Sequence, residues 1–431
     1  MLGKFKLPKS YKTSKKAGGG KNDQYLVGLD IGTEFVKALI AKVNKDHKIE
    51  IIGVGRAHQN LQNMQAGAIS DIAAVVSTCD DALNQAEQQA GVSARSAVIG
   101  IAGELVKGTT TSVKCTRKNP TKPLDIIEVE QIIKLVQERA EQKAKQQLAW
   151  ELGGKSVEIR LVNSALVSID IDGYYVTNPI GFQGREVLVQ LYTAFAPLIH
   201  IGALERTAQE LDLDLLAVAA EPFAVSRSVI GDDPNASISA ILMDVGGGTT
   251  DIAVINEGGV QGTKMFGIGG RAFTKSIERE LSVSFEEAER LKLHLAIGTV
   301  PEEYLESVES SIAKTIDVWE SGVELSLAEF NKVDHLPNLL LLCGGGSSLT
   351  PLMDKLNGTD WYRDLPFTKK PKIQHIHPDQ VVGITDKTGI VNDHTFITAM
   401  GLLRVGSDTM FQQSNDDASS VRQKLDRMLR K

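Results

Sequence analysis

The chain has 431 residues, 42% of them hydrophobic and 23% charged, with a formal net charge of −7. That length holds two domains with separate cores, and the acidic balance excludes a general attraction to nucleic acid. Cys79, Cys115 and Cys343 share no metal-type spacing and are odd in number, which points to a reducing cytoplasm. No apolar run approaches the roughly 20 residues of a membrane-spanning helix, and the start lacks the apolar core of a secretory signal.

Residues 1–23 form a basic arm: Lys4, Lys6, Lys9, Lys12, Lys15, Lys16 and Lys21 occur with no acid before Asp23. Such a segment is disordered, either as a solubilising tail or with weak attraction to anionic lipid. The Val- and Ile-rich runs Leu26–Asp30, Phe35–Val43 and Ile49–Gly55 read as an antiparallel meander, with Lys45–Lys48 as a polar turn. Its first strand ends in Asp30-Ile-Gly32-Thr33. Over 71–90, Ile72, Val75, Val76, Cys79, Leu83 and Ala86 recur at helical spacing, and Ala97–Ala102 is a strand.

Residues 103–196 contain no phosphate motif. The spacing predicts a strand (Gly108–Cys115), a charged helix (Asp125–Trp150) and strands Val157–Asp170 and Arg185–Ala194, with Tyr174–Gly181 as a loop. Leu198–Leu211 reads as a helix and Leu215–Ala219 as a strand, after which Ala220-Glu-Pro opens another helix with Pro222 in its first turn. Glu221 there suits a first-turn acid favoured by the helix dipole. Asp232-Asp-Pro-Asn235 is a turn and a candidate hinge.

The stretch Ile241-Leu-Met-Asp-Val-Gly-Gly-Gly-Thr-Thr-Asp251 starts as a buried strand and breaks into Gly246, Gly247 and Gly248. Glycines there let backbone N–H groups close on an anion where a Cβ would intrude. Thr249 and Thr250 add hydroxyl donors, and Asp244 and Asp251 suit a metal ion, directly or through water. One such turn is weak, but the Asp30 turn repeats the pattern. A third, Gly344, Gly345, Gly346, Ser347 and Ser348, follows the apolar run from Leu339.

Between the last two turns, Ser284 with Glu287 makes a capping box, and Glu289 and Lys292 share a helix face. Gly298–Pro301 then leads into one helical stretch, Glu302–Phe330. Leu349–Leu356 is a helix, and Thr398–Leu403 is rich in Ala and Gly. Residues 406–419 read as a flexible polar linker. In 420–431, Val421, Leu425, Met428 and Leu429 fall on one helix face, with Arg422, Lys424 and Arg427 on the others: a membrane-surface design.

The two Asp-containing turns and the third glycine turn resemble the actin-like ATPase superfamily. Ile51–Gly55, Met64–Asp71, Ser284–Lys292 and the terminal helix resemble, within it, the bacterial cell-division family FtsA, over about 24–405 plus the tail. The resemblance implies an α/β, actin-like (ribonuclease-H-like) two-domain fold with ATP and Mg²⁺ in a cleft. Its first half would comprise 24–102 and 197–233, interrupted by an α+β subdomain over 103–196 that serves subunit and division-protein contacts. Its second half would span 234–405, with a reduced helical insertion over about 271–335.

By the same resemblance, Asp30, Gly32, Thr33 and Gly246–Thr250 meet the phosphates, and Gly344, Gly345, Gly346 and Ser347 meet the adenosine. Glu289 and Lys292 approach ribose and base, while Asp30, Asp244 and Asp251 hold hydrated Mg²⁺. Glu221 resembles the acid of DnaK-type chaperones that positions the attacking water; as the one candidate for that role, it implies at most a slow ATPase. Expected partners are further copies of the chain, an FtsZ-like protein, other division proteins and anionic lipid, at the septum on the inner face of the membrane. After Lys292 the chain departs from the pattern, because FtsA proteins run there through an extended sheet region that meets FtsZ. A PilM-like pilus or secretion component binding a peptide of a membrane partner is the alternative within the superfamily. A metabolic kinase or chaperone lacks its sugar signature or peptide domain here.

Overall fold

A computed structural model describes residues 24–44, 48–230, 238–331 and 333–414, with side chains to 411. The basic arm, the Asp232–Asn235 turn, most of the Lys45–Lys48 turn and the membrane helix over 420–431 lie outside the described residues.

In chain order the elements are β1 (Gln24–Ile31), β2 (Phe35–Val43), β3 (Ile49–His58), the short hairpin β4 (Met64–Gln65) and β5 (Ala68–Ile69), α1 (Ile72–Ala90) and β6 (Ser96–Ile101). Then come β7 (Lys107–Thr116), α2 (Ile126–Glu151), β8 (Ile159–Ile171), β9 (Tyr174–Tyr175), β10 (Glu186–Pro197), α3 (Leu198–Glu210), β11 (Asp214–Ala220) and α4 (Glu221–Ile230). The remainder is β12 (Ala240–Val245), β13 (Thr250–Asn256), β14 (Gly259–Phe266), α5 (Gly270–Leu281), α6 (Phe285–Ala296), α7 (Glu302–Ala328), β15 (Leu339–Cys343), α8 (Thr350–Gly358), β16 (Lys372–His375), β17 (Ile384–Asp386) and α9 (Ile397–Ser414).

The two halves repeat one topology. The first sheet runs β11-β6-β1-β2-β3-β17, and the second contains β16-β15-β12-β13-β14. In each, a three-strand antiparallel meander is followed by two strands parallel to its first. The halves share apolar faces. β12 is buried throughout, and its side chains alternate: Ala240 and Leu242 join the core of the first half, Ile241, Met243 and Val245 that of the second. The helices α4 and α9 cross closely, since a Cβ on Gly401 would meet the Ala224 carbonyl at 2.2 Å. The small residues of Thr398–Leu403 leave room for this approach.

Local signals explain most boundaries. Asp71 and Asp125 cap α1 and α2, accepting the Ala74 and Glu128 N–H groups. Ser284 caps α6, but the expected reciprocal half of the box is not formed, because the Glu287 carboxylate turns to Arg290 at 2.6 Å. Among the described residues no strand lies between Phe266 and Leu339, so the second-half insertion is helical.

The residues from 103 to 196 form a sheet and helix with their own core around Val113, Ile133 and Val189. They are not a separate layer: β7 pairs with β14 at Gly108 and Thr109, which extends the second sheet through β7-β10-β8-β9. The insertion also touches the first half. The Asn163 side chain accepts the Ala220 N–H at 2.7 Å, and Tyr192 stacks on Phe223 at 5.6 Å while its hydroxyl meets Thr263.

Two expectations need correction. Tyr174–Gly181 is not all loop, because Tyr174 and Tyr175 pair with β8. The flexible linker does not begin at residue 406, because α9 continues to Ser414. The polar residues there are satisfied inside the fold: Asp408 takes Arg227 at 2.9 Å, the Thr409 hydroxyl donates to the Val405 carbonyl, and Ser407 is buried.

The strand β3 carries glycines where α1 lies against it. A Cβ on Gly55 would stand 1.7 Å from the Ala82 carbonyl. Gly55→Ala should cost about 1–3 kcal/mol by overpacking, read as a lowered urea midpoint; an unchanged midpoint would refute this close approach.

Candidate functional site

The repeated topology places equivalent residues in equivalent positions. Asp30 lies one residue before the end of β1, and Asp244 one residue before the end of β12. Each hairpin then turns through a glycine whose N–H is bound within the turn: Gly32 donates to the Phe35 carbonyl at 3.1 Å, and Gly246 to that of Thr249 at 2.9 Å. The return strands place Lys37 opposite Asp30 and Asp251 opposite Asp244. One hairpin therefore answers its acid with an amine, the other with a second acid.

These groups converge on a cavity of about 250 Å³ between the halves. Its lining includes Asp30, Gly32, Thr33, Glu221, Asp244, Gly246, Gly247, Thr249, Asp251, Glu289, Lys292, Gly344, Gly345 and Gly346. Gly344 comes so close to Asp244 that a Cβ would lie 2.0 Å from Oδ1, and its φ of +80° is itself a glycine conformation. The third turn is thereby docked on the second.

Three expected residues do not line the cavity. Gly248 packs on Thr33, the Thr250 hydroxyl donates to the Ile268 carbonyl and accepts from the Trp319 indole, and the Ser347 hydroxyl donates to the Gly344 carbonyl. Both hydroxyls are spent on partners within the fold, Ser347 in its own turn and Thr250 on the loop before α5 and on α7. Ser348 faces the cavity instead, paired at 3.0 Å with the ring of His394, which stacks on His375. Glu289 and Lys292 form an ion pair at 2.7 Å shared with Thr274, anchored to α5 through the Gly270 carbonyl.

Sequence reasoning missed several lining residues. Lys37 holds the Asp30 carboxylate at 3.0 Å. No local signal marks it, because Lys37 lies across from Asp30 only in the observed β1–β2 register. Glu34, Arg56 and Arg271 also line the cavity. Arg56 lies 3.7 Å over the Phe35 ring, a cation–π contact.

The electrostatics are those of crowded, buried acids. Burial pushes Glu221 well above the usual carboxylate range, and the charges of Asp30, Asp251 and Asp244 add to it. Burial likewise raises Asp251, with Asp244 beside it, and raises Asp244 against the opposing Thr398 hydroxyl and Lys37. Burial alone would lower Lys37, but Asp30 and Asp244 outweigh it and the amine is held above its ordinary value. The Asp251 Oδ1 atom is buried with no hydrogen-bond partner.

This donor set fits a divalent cation, because Lys37 opposes several buried acids and one acid oxygen is orphaned. Among the described residues no three acidic, His or Cys side chains converge tightly enough to ligate an ion directly. A cation here would be held through water.

Raised carboxyl values mean that the folded state binds protons the unfolded chain has released. Their cost therefore appears as pH climbs from about 4, the unfolded value, through the folded one. Glu221→Gln should raise the thermal midpoint of the ligand-free protein at pH 7–8, by about 1 °C per kcal/mol relieved. The gain should shrink towards pH 4, and a gain independent of pH would contradict this origin.

Comparison with known proteins agrees with this geometry. The family described as Cell division protein FtsA matches residues 241–401. Cell division protein FtsA of Pseudomonas aeruginosa is 25% identical over 421 residues, covering 93% of either chain. That of Bacillus subtilis is 27% identical over 277 residues, covering 64% of this chain and 58% of its own length. Among solved structures, a PilM–PilN type IV pilus biogenesis complex contains a chain that superposes with a TM-score of 0.63 at 15% identity, covering 89% of this chain and 98% of that one. The chain is FtsA-like in sequence and has the actin-like ATPase fold.

Proposed function

We propose that this FtsA-like chain is an ATP-binding, polymerising component of the cell-division machinery, acting on the inner face of the cytoplasmic membrane. The observation that carries the reading is the duplicated acid-and-glycine hairpin, present once in each half and facing one cavity.

In this reading Gly32 and Thr33 receive the phosphates from one side, Gly246, Gly247 and Thr249 from the other, and Lys37 neutralises their charge from the floor. Asp30, Asp244 and Asp251 would hold hydrated Mg²⁺, which would supply charge neutralisation for phosphoryl transfer. Gly344–Gly346 and Ser348 border the nucleoside, with the Glu289–Lys292 pair on its far side. Glu221 orients the attacking water. Burial pushes this acid well above the usual carboxylate range, and cationic charge entering the cleft would favour its ionised form.

The domain assignment follows the same logic. Residues 24–102 and 197–233 form one half and 234–405 the other, and the insertion over 103–196 meets neighbouring subunits or division proteins. The segment 420–431 ties the filament to anionic lipid; one short basic amphipathic helix binds weakly, so many copies along a filament are needed. An FtsZ-like protein is the proposed partner, met in this chain by a helical surface, α5 to α7.

ATP affinity measured with Mg²⁺ tests the clamp. Lys37→Ala should weaken binding by about 10–100-fold, the worth of a charge-assisted contact. Asp244→Ala should abolish it, and retained affinity in both would put the phosphates elsewhere. Deleting Ser420–Lys431 should end ATP-dependent co-sedimentation with anionic liposomes while leaving ATP affinity intact. Unchanged sedimentation would sink the membrane assignment and favour a peptide-binding, PilM-like role.

A further inference from the structure

The start of α5 is bound to the second phosphate turn through its backbone. The Gly270 N–H donates to the Gly246 carbonyl at 2.9 Å and the Arg271 N–H to that of Gly247 at 2.8 Å. The Arg271 side chain runs in the opposite direction, into the first half. Its Nη2 donates to the Thr33 carbonyl at 2.5 Å, its Nε to Glu34 Oε2 at 2.8 Å, and its Nη1 to the Leu61 carbonyl at 3.2 Å. Glu34 is fixed from behind by His58, 2.8 Å from its other oxygen. The turns also touch directly, since a Cβ on Gly247 would come within 2.8 Å of the Glu34 Cβ.

One buried guanidinium thus has its backbone on one phosphate turn and its fork on the other. Only a planar, multiply donating group satisfies two carbonyls and a carboxylate diverging in this way; an ammonium at the same place meets them as a point. We infer that Arg271 is a positioning residue that sets the spacing of the two phosphate turns before any nucleotide arrives. The cleft is then preset, and the ligand enters a clamp whose jaws are already at working distance. For its consequence on polyphosphate binding the inference rests on the nucleotide reading; the preset spacing itself does not.

Amide hydrogen exchange on the full-length, nucleotide-free protein tests the spacing. The turn amides of Gly32, Gly246, Gly270 and Arg271 should be protected in the wild type. Arg271→Lys should accelerate their exchange about tenfold or more, leaving the amides of β1 and β12 and the thermal midpoint close to wild type. Glu34→Gln, which keeps the packing but weakens the ion pair, should give a smaller acceleration of the same amides, and stands in if the Arg271 variant does not fold. ATP titrated in parallel should bind Arg271→Lys about tenfold more weakly. Turn amides that exchange fast in the wild type, or equally slowly in both variants, overturn the inference. Failure of the wild type to bind ATP overturns the nucleotide reading instead and leaves the exchange result standing.

Discussion

Crowding Asp30, Asp244, Asp251 and Glu221 around the Lys37 amine in a cleft between two halves is the constraint on which this molecule depends. Asp30, Asp244, Asp251 and Glu221 are all buried, and the charges of the other three raise Glu221 further. No fold adopts this for stability, because unpaired buried acids shift towards their neutral form and weaken the ligand-free state. The arrangement makes sense as a site poised for positive charge. The surrounding structure tolerates it because the cost is confined to a few atoms between two extensive cores.

Those cores are coupled through shared strands. β12 and β13 direct alternate side chains to opposite cores, so both faces of the strands that carry Asp244 and Asp251 are packed. The two acids cannot drift without disturbing both halves. Strand alternation thus sets the geometry of the site as well as the fold, and the same register that buries Met243 on one face presents its neighbour Asp244 to the cleft.

Much of this was legible in the sequence. Strand-ending glycine turns stand out because apolar run, acid and glycine follow one another locally, and the elements around them fall close to where periodicity put them. What escaped was what depends on pairing at a distance. Lys37 becomes meaningful only once the β1–β2 register is known, and Arg271 reaches residues 237 and 238 positions away. Thr250 and Ser347 carried the right chemistry but face inward, and nothing in their residue types separates a hydroxyl that greets a ligand from one that braces a turn. The supposed linker failed for a related reason: Asp408 looks like a solvated acid until Arg227 is found beside it in space.

The insertion, finally, is wedged between the halves. Its sheet continues that of the second half, while Asn163 grips the backbone of Ala220, the residue immediately before Glu221. A pull on this unit from outside is therefore delivered through a hydrogen bond to the base of the helix bearing the buried acid. The insertion and the helix that carries Glu221 are therefore tied at one backbone position, and a displacement of either is felt first at Ala220.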